Sequence, residues 1–152
     1  MIGKKSVSKP DSVISCQTFK NHYMPKCVCM GAKLKCSFGS GPKDMMVLPI
    51  GKTMNAMVKP LATQLDFVPM LNIPAFGNCL SPANPMNWKM AGPIPVFVPS
   101  SCIPIPIMPW DPVAKKLKIG GNPAMLETSK TMCAWLGSIT VDNPGVTNVE
   151  AK

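Results

Sequence analysis

Proline content sets the strongest constraint on the fold of this chain. The sequence has 18 prolines in 152 residues, and eleven of them lie between Pro69 and Pro112, ends included. Proline fixes φ and lacks a backbone N–H, so a bundle of long helices or a coiled coil is excluded. Because 46% of the residues are hydrophobic, the chain is also too apolar for a disordered polar polymer. The sequence therefore predicts a small, irregular all-β domain.

Prolines alternate with apolar residues in two stretches, residues 93–96 and 104–107. Such segments run as polyproline-II helix or as edge strands, because each proline biases its predecessor toward extended backbone. A solvated linker or a ligand of an SH3-type domain is one interpretation. The intervening residues are Ile, Val, Phe, Met and Trp, which a solvated linker would expose to water. We therefore expect extended segments packed within the domain.

Turn-forming residues divide the rest of the chain into short strands. Strands are predicted over residues 32–38, 45–49, 117–119, 123–126 and 131–141, with turns at 120–123 and 142–145. One or two helical turns fit within residues 53–68, limited by Pro60 and Pro69. Residues 1–25 are polar and lysine-rich. We predict that they form an N-terminal extension, followed by one domain over residues 26–152.

The positive charge of the chain comes from lysine alone. The net charge is +9, all sixteen basic residues are lysines, and ten of them lie in residues 1–59. Base recognition and bidentate phosphate binding favour arginine, and single-strand binding favours aromatic residues, which make up only 6% here. The sequence thus predicts a solvated lysine surface and no specific nucleic-acid partner.

Catalytic motifs and targeting segments are both missing from the sequence. The one histidine, His22, lies in the polar extension, and the carboxylates are scattered without a close pair. No nucleophile elbow, phosphate-binding loop or zinc-protease helix occurs. The N-terminus lacks the apolar core of a secretory signal, and no stretch reaches the ~20 apolar residues of a membrane helix. We expect a non-enzymatic protein that is cytoplasmic when made.

Seven cysteines carry most of the chemical information in the chain. Because the count is odd and a cytoplasmic origin is expected, metal binding or free thiols are favoured over a disulfide framework. Four of the cysteines stand beside turns or strand ends in separate segments: Cys36, Cys79, Cys102 and Cys133. Four such thiolates could form a tetrahedral structural zinc site. They could equally be small buried hydrophobic residues, and the spacing alone does not decide between the two.

Four sequence blocks, taken in order, resemble the cysteine-containing PAAR-like proteins. The first is Gly31-Ala32-Lys33-Leu34-Lys35-Cys36-Ser37-Phe38-Gly39, and the second contains Asn72-Ile73-Pro74, Phe76-Gly77-Asn78-Cys79 and Asn84-Pro85. The third surrounds Cys102 from Pro99 to Pro104 and ends at Pro109-Trp110. The fourth contains Cys133-Ala134-Trp135-Leu136-Gly137. The Pro-Ala-Ala-Arg tetrapeptide itself does not occur.

The resemblance implies a conical β-structure that sharpens the spike of a contractile injection machine, such as a type VI secretion system. It implies one tip on each trimeric VgrG-type spike, with effector cargo and transient contact with a target membrane. Assembly would be cytoplasmic and firing would eject the tip. The resemblance also implies one structural zinc ion on Cys36, Cys79, Cys102 and Cys133, with Cys29 as the alternative ligand. A free-standing zinc-stabilised module that binds an acidic partner is the competing hypothesis.

Overall fold

The computed structural model describes residues 25–49, 55–56 and 59–145, and most of the predicted extension lies outside these ranges. The described residues form eleven strands, one 3-10 turn and no α-helix, so the mostly β fold is confirmed. The strands are β1 (Lys33–Cys36), β2 (Lys43–Asp44), β3 (Asn55–Ala56), β4 (Lys59–Pro60), β5 (Asn78–Cys79), β6 (Trp88–Ala91), β7 (Ile94–Phe97), β8 (Ser100–Ser101), β9 (Asp111–Ile119), β10 (Asn122–Met132) and β11 (Ser138–Asn143). The 3-10 turn, η1, spans Pro85–Asn87.

One antiparallel sheet organises the domain, with the strand order β2-β1-β11-β10-β9. Buried and exposed residues alternate along β1: Leu34 and Cys36 are buried, whereas Lys33 and Lys35 face solvent. That period of two is typical of a sheet with one covered face. Across β11, Lys35 pairs with Thr140 and Cys36 with Ile139.

Three two-stranded sheets complete the described architecture: β3-β4, β5-β8 and β6-β7. Residues 55–56 pair with residues 59–60 as antiparallel strands, so the predicted helical turns within 53–68 are wrong for the residues that are described there. Pro60 does not stop a helix here but ends a short strand. Proline tolerates such a position because a two-residue strand has few ladder hydrogen bonds to lose.

Several predicted strand boundaries also differ from the structure: β9 begins at Asp111 and not at Leu117, and β10 joins the predicted strand 123–126 to the start of the next one. The return strand predicted over residues 45–49 is formed instead by Lys43 and Asp44, which pair with β1. The final strand predicted over residues 131–141 is interrupted, because β10 ends at Met132 and β11 begins at Ser138. Leu136 has a φ of 64°, which reverses the chain between the two strands. A turn with no proline and a single glycine, Gly137, gave too weak a signal to predict.

The two proline-alternating stretches behave differently from each other. In residues 102–107, Cys102, Pro104 and Pro106 point inward while the three isoleucines between and beyond them are exposed. Residues 94–97 form β7, which pairs with β6 in a hairpin whose eight strand residues are all exposed. The prediction of packed extended segments is therefore right for the prolines of the second stretch and wrong for the first stretch.

The core consists of two clusters of buried side chains. The larger one lies between the main sheet and residues 61–110 and includes Trp110, Phe76, Leu34 and Ile73, all without solvent exposure. The Trp110 indole N–H donates to the Asp66 carbonyl at 2.8 Å, which satisfies its polar atom inside the core. The smaller cluster surrounds Ile119, near the β9–β10 turn. Within the described ranges, no helix has the length and apolarity to cross a membrane.

Candidate functional site: a cavity lined by four cysteines

Sheet pairing and short loops bring the four predicted ligand residues to one place. Cys36 ends β1 and Cys133 directly follows β10, and both strands flank β11 in the main sheet. Cys79 ends β5, which pairs with β8, and Cys102 directly follows β8. A bridge between Gly39 and Cys79 joins the two sheets at this point. Segments that are distant in sequence therefore place four thiols at one end of the core.

All four cysteines line a single small cavity. Its volume is about 10 Å³, close to the space of one water-sized sphere. The remaining lining residues are Phe38, Ser81, Pro104, Trp135 and Gly137. Each of the four cysteines is less than a tenth exposed. The cavity has the scale of a bound ion and is too small for an organic ligand, since ligand pockets have ~300 Å³ or more.

Backbone N–H groups beside the cavity favour negatively charged sulfur. The Ile105 N–H donates to Cys133 Sγ at 3.4 Å. Against the larger opposing effect of burial, the backbone of Phe38 and Gly39 acts to lower the pKa of Cys36, and the backbone of Phe76 acts to lower the pKa of Cys102. A neutral thiol is a weak acceptor, whereas a thiolate is a strong one. This arrangement therefore suits sulfur atoms that carry negative charge.

Burial and mutual repulsion disfavour that charge while no cation is present. Burial is the main cause that raises the pKa of Cys36, and the pKa is raised further by Cys133 and Cys79. The pKa of Cys102 is likewise raised, first by burial and then by the three other cysteines of the cavity. A divalent cation between the sulfur atoms would reverse both effects, because a coordinating thiol is deprotonated outright.

The donor set fits a structural zinc ion in residue type, and the four thiols line one cavity, but the side chains do not form a finished site. In the part of the chain that the structure describes, no group of three or more His, Cys, Asp or Glu side chains meets the geometry of a metal centre. Four thiols can line the same cavity without being placed at the corners of the tetrahedron that zinc requires. The four thiols are brought together, and their role as ligands remains a prediction.

Gly137 provides a mutational test of this cavity. A Cβ at residue 137 would lie 2.8 Å from Cys36 Sγ and 3.8 Å from Cys133 Cβ, so alanine would push the Cys36 sulfur away. We expect Gly137→Ala to destabilise the fold by about 1–3 kcal/mol through overpacking and to weaken zinc binding. Gly41→Ala is the control, since nothing lies within 4 Å of the position that its added methyl group would take. Urea unfolding and zinc titration measure both effects, and equal behaviour of the two variants would contradict the expectation.

Cys29, the alternative ligand, lies elsewhere. It belongs to the smaller core cluster, and its thiol donates to the Pro144 carbonyl at 3.6 Å. Burial raises its pKa, which Lys59 partly opposes. Cys27, in the same cluster, is disulfide-bonded. The sequence favoured metal-bound or free thiols over a disulfide framework, and Cys27 departs from that expectation while Cys29 and the four cavity cysteines are free thiols. Sequence spacing cannot reveal which sulfur atoms the fold brings together.

Sequence reasoning found the four thiols but missed the groups around them. Backbone donors, the Ser81 hydroxyl and the buried amide of Asn87 carry no motif of their own. A partial signal exists in the spacing, since Gly39 follows Cys36 by three residues and Gly137 follows Cys133 by four. Glycine so close to a buried cysteine is typical of a tight turn that aims N–H groups at the sulfur.

The fold and the site together define an antiparallel β protein with a buried cavity of four thiols. The family model described as "Domain of unknown function (DUF4280)" matches residues 28–145. The match covers most of the sequence and all four cavity cysteines, so the chain belongs to this family. No curated protein and no solved structure is significantly similar to it.

Proposed function

We propose that this chain is a non-enzymatic spike tip, a short conical PAAR-like part that caps a trimeric VgrG-type spike. Assembly would take place in the cytoplasm, and contraction of the machine would eject the tip toward a target membrane together with any effector cargo. The observation that carries this proposal is the set of exposed large apolar side chains in residues 68–108, here called the apolar surface, and the four-cysteine cavity supports it.

The apolar surface comes from one nearly uncharged part of the chain. Between residues 67 and 110, Lys89 is the only charged residue. Its exposed apolar side chains are Met70, Leu71, Leu80, Met86, Trp88, Met90, Ile94, Val96, Phe97, Val98, Ile103, Ile105, Ile107 and Met108, with Val68 beside Pro69. Soluble monomers rarely expose so many large apolar residues in one region. A permanent partner would cover them.

Both faces of the β6–β7 hairpin contribute to this surface. Trp88 stacks edge-on against Phe97, with ring centroids 5.4 Å apart, and Met90 pairs with Pro95 on the same side. On the other side Val96 pairs with Lys89 and Ile94 with Ala91. Pro95 removes a backbone donor from β7, so a partner would recognise side chains more than strand edges.

A zinc ion on Cys36, Cys79, Cys102 and Cys133 would add folding stability that the core of this domain does not supply. Much of the apolar area here faces outward, so the core contributes less stability than in a domain of equal length that buries such side chains. Small domains compensate for a limited core with a metal or with disulfides. A closed four-thiolate site leaves no open coordination position, which agrees with a structural and not a catalytic role.

Co-expression with a VgrG-type spike protein tests the proposal. We expect the chain to co-purify with the trimer at one tip per three spike chains, measured by native mass spectrometry. Met90→Lys should reduce complex formation by at least tenfold, because a buried unpaired ammonium costs more than the ~1.4 kcal/mol of a tenfold change. Met46→Lys is the matched control, since Met46 is 55% exposed, Met90 is 69% exposed, and Met46 lies outside the apolar region.

The result also separates this proposal from the acidic-partner hypothesis. An acidic partner would bind the lysine-rich residues 1–59, for example Lys35 on β1 and Lys43 on β2, and its binding would weaken steeply with salt. Complex formation that is insensitive to Met90→Lys but lost with Lys35→Glu would overturn the spike-tip proposal in favour of that alternative. Failure to bind any VgrG-type trimer would overturn it as well.

A further inference from the structure

Asn87 is a fully buried polar residue at the end of η1, close to the four-cysteine cavity. Its amide nitrogen donates to the carbonyl oxygens of Cys79 and Ser81, both at 2.8 Å. Its amide oxygen accepts from the Ser100 N–H at 2.8 Å and from the Ser100 hydroxyl at 2.6 Å. Two donated and two accepted bonds use the full capacity of the amide.

These bonds join β5, which ends at Cys79, to β8, which Cys102 directly follows. Strands β5 and β8 have two residues each and form their own small sheet, with Cys79 opposite Ser100, and a bridge from Gly39 to Cys79 links it to the rest of the fold. A two-stranded pair of this kind is marginally stable without further support. Asn87 holds both partners at once, at Cys79 on one strand and at Ser100, two residues before Cys102, on the other. Cys36 and Cys133 have separate support from the five-stranded sheet.

We propose that Asn87 is a positioning residue of the metal site: it fixes the separation between the Cys79 and Cys102 sulfur atoms without touching the ion. This role rests on the zinc site included in the proposed function. Outer groups that orient ligands typically change metal affinity by 10–100-fold when they are removed. Loss of the Asn87 amide would leave Cys36 and Cys133 in place, but the distance between Cys79 and Cys102 would no longer be fixed.

The matched control is a second buried asparagine. Asn72 is only 3% exposed, its amide nitrogen donates to the Met46 carbonyl at 2.9 Å, and its amide oxygen accepts from the Val68 N–H at 3.1 Å. It therefore resembles Asn87 in burial and in bonding to the backbone, but it bonds no segment that carries a cavity cysteine. Asn72→Ala should cost stability as Asn87→Ala does, while metal affinity stays within about twofold of wild type, below the range for ligand-orienting groups.

The experiment measures zinc affinity of the full chain by competition with a chelating dye, and the absorption spectrum of the cobalt-loaded protein. We expect Asn87→Ala to bind zinc about 10–100-fold more weakly and to lose part of the tetrahedral thiolate–cobalt absorption. Asn72→Ala should keep both. If Asn87→Ala does not fold, Ser100→Ala, which removes one of the four bonds, should still weaken zinc binding several-fold by the same logic.

The outcomes distinguish failure of the zinc site from failure of the positioning role of Asn87. Wild-type protein that binds neither zinc nor cobalt overturns the proposed site and its positioning residue together. Wild-type binding combined with equal affinities of Asn87→Ala and Asn72→Ala overturns the positioning role alone. An unchanged affinity of Ser100→Ala, where Asn87→Ala fails to fold, also overturns it.

Discussion

On the zinc site proposed above, replacing any one of Cys36, Cys79, Cys102 or Cys133 by serine is expected to remove most of the zinc and to unfold much of the protein. Structural zinc contributes about 10–16 kcal/mol of apparent binding energy in small zinc-stabilised folds, and that energy is folding energy. Native domains are stable by only about 5–15 kcal/mol. Losing one ligand should therefore remove a large part of the free energy of unfolding. Elemental analysis of purified variants and thermal unfolding measure the two effects.

Cys29→Ser is the control for this series. Cys29 is as buried as the four cavity cysteines, but it lies in the smaller cluster with its thiol near Pro144. The Cys29→Ser variant should retain the wild-type zinc content and lose stability only because its side chain packs less well in the core. Full zinc retention in all four cavity variants would contradict the assignment, and zinc loss in Cys29→Ser would show that the alternative ligand had been wrongly set aside.

Trp110→Ala is expected to produce the largest loss of stability among substitutions outside the cysteines. Trp110 is the largest fully buried side chain among the residues described, and truncation of a buried tryptophan costs about 3–5 kcal/mol. The substitution also removes the N–H that donates to the Asp66 carbonyl. Urea unfolding at saturating zinc measures the change, since bound metal otherwise shifts the apparent stability by mass action.

Two further variants separate the contribution of the buried ring from that of the indole hydrogen bond and provide an exposed tryptophan for comparison. Trp110→Phe keeps most of the buried ring but not the indole N–H, so it should lose clearly less than alanine does. Trp88→Ala removes a side chain that is 46% exposed and stacked on Phe97, and it should cost about 1 kcal/mol. A Trp110→Ala loss no greater than that of Trp88→Ala would mean that the core does not depend on Trp110.

The prolines illustrate what sequence reasoning could and could not predict here. Their number excluded long helices, because the missing N–H and the fixed φ act locally at every proline. Which side of an extended segment faces the core is not a local property. In residues 103–107 the prolines are buried and the isoleucines are exposed, the reverse of what side-chain hydropathy favours. Only the neighbouring strands decide that orientation.

Strand boundaries failed where tertiary pairing overruled local preference. Residues 55–56 and 59–60 are strands because they pair with each other, although nothing in their composition favours strand over turn. The break between β10 and β11 depends on Leu136, which adopts a positive φ that leucine disfavours on its own. Contacts around the cavity, including the Leu136 N–H bond to the Cys133 carbonyl, hold that turn.

The sequence by itself determined the mostly β class, the exclusion of long helices from the proline-rich part and the four candidate ligand cysteines, because these follow from residue chemistry and local backbone limits. The tertiary structure alone decided that those four thiols line one cavity while Cys29 lies elsewhere and Cys27 is disulfide-bonded. Segments up to 97 residues apart, from Cys36 to Cys133, meet there through sheet pairing. Proximity of that kind is set by the summed packing of the whole domain, and no local spacing encodes it.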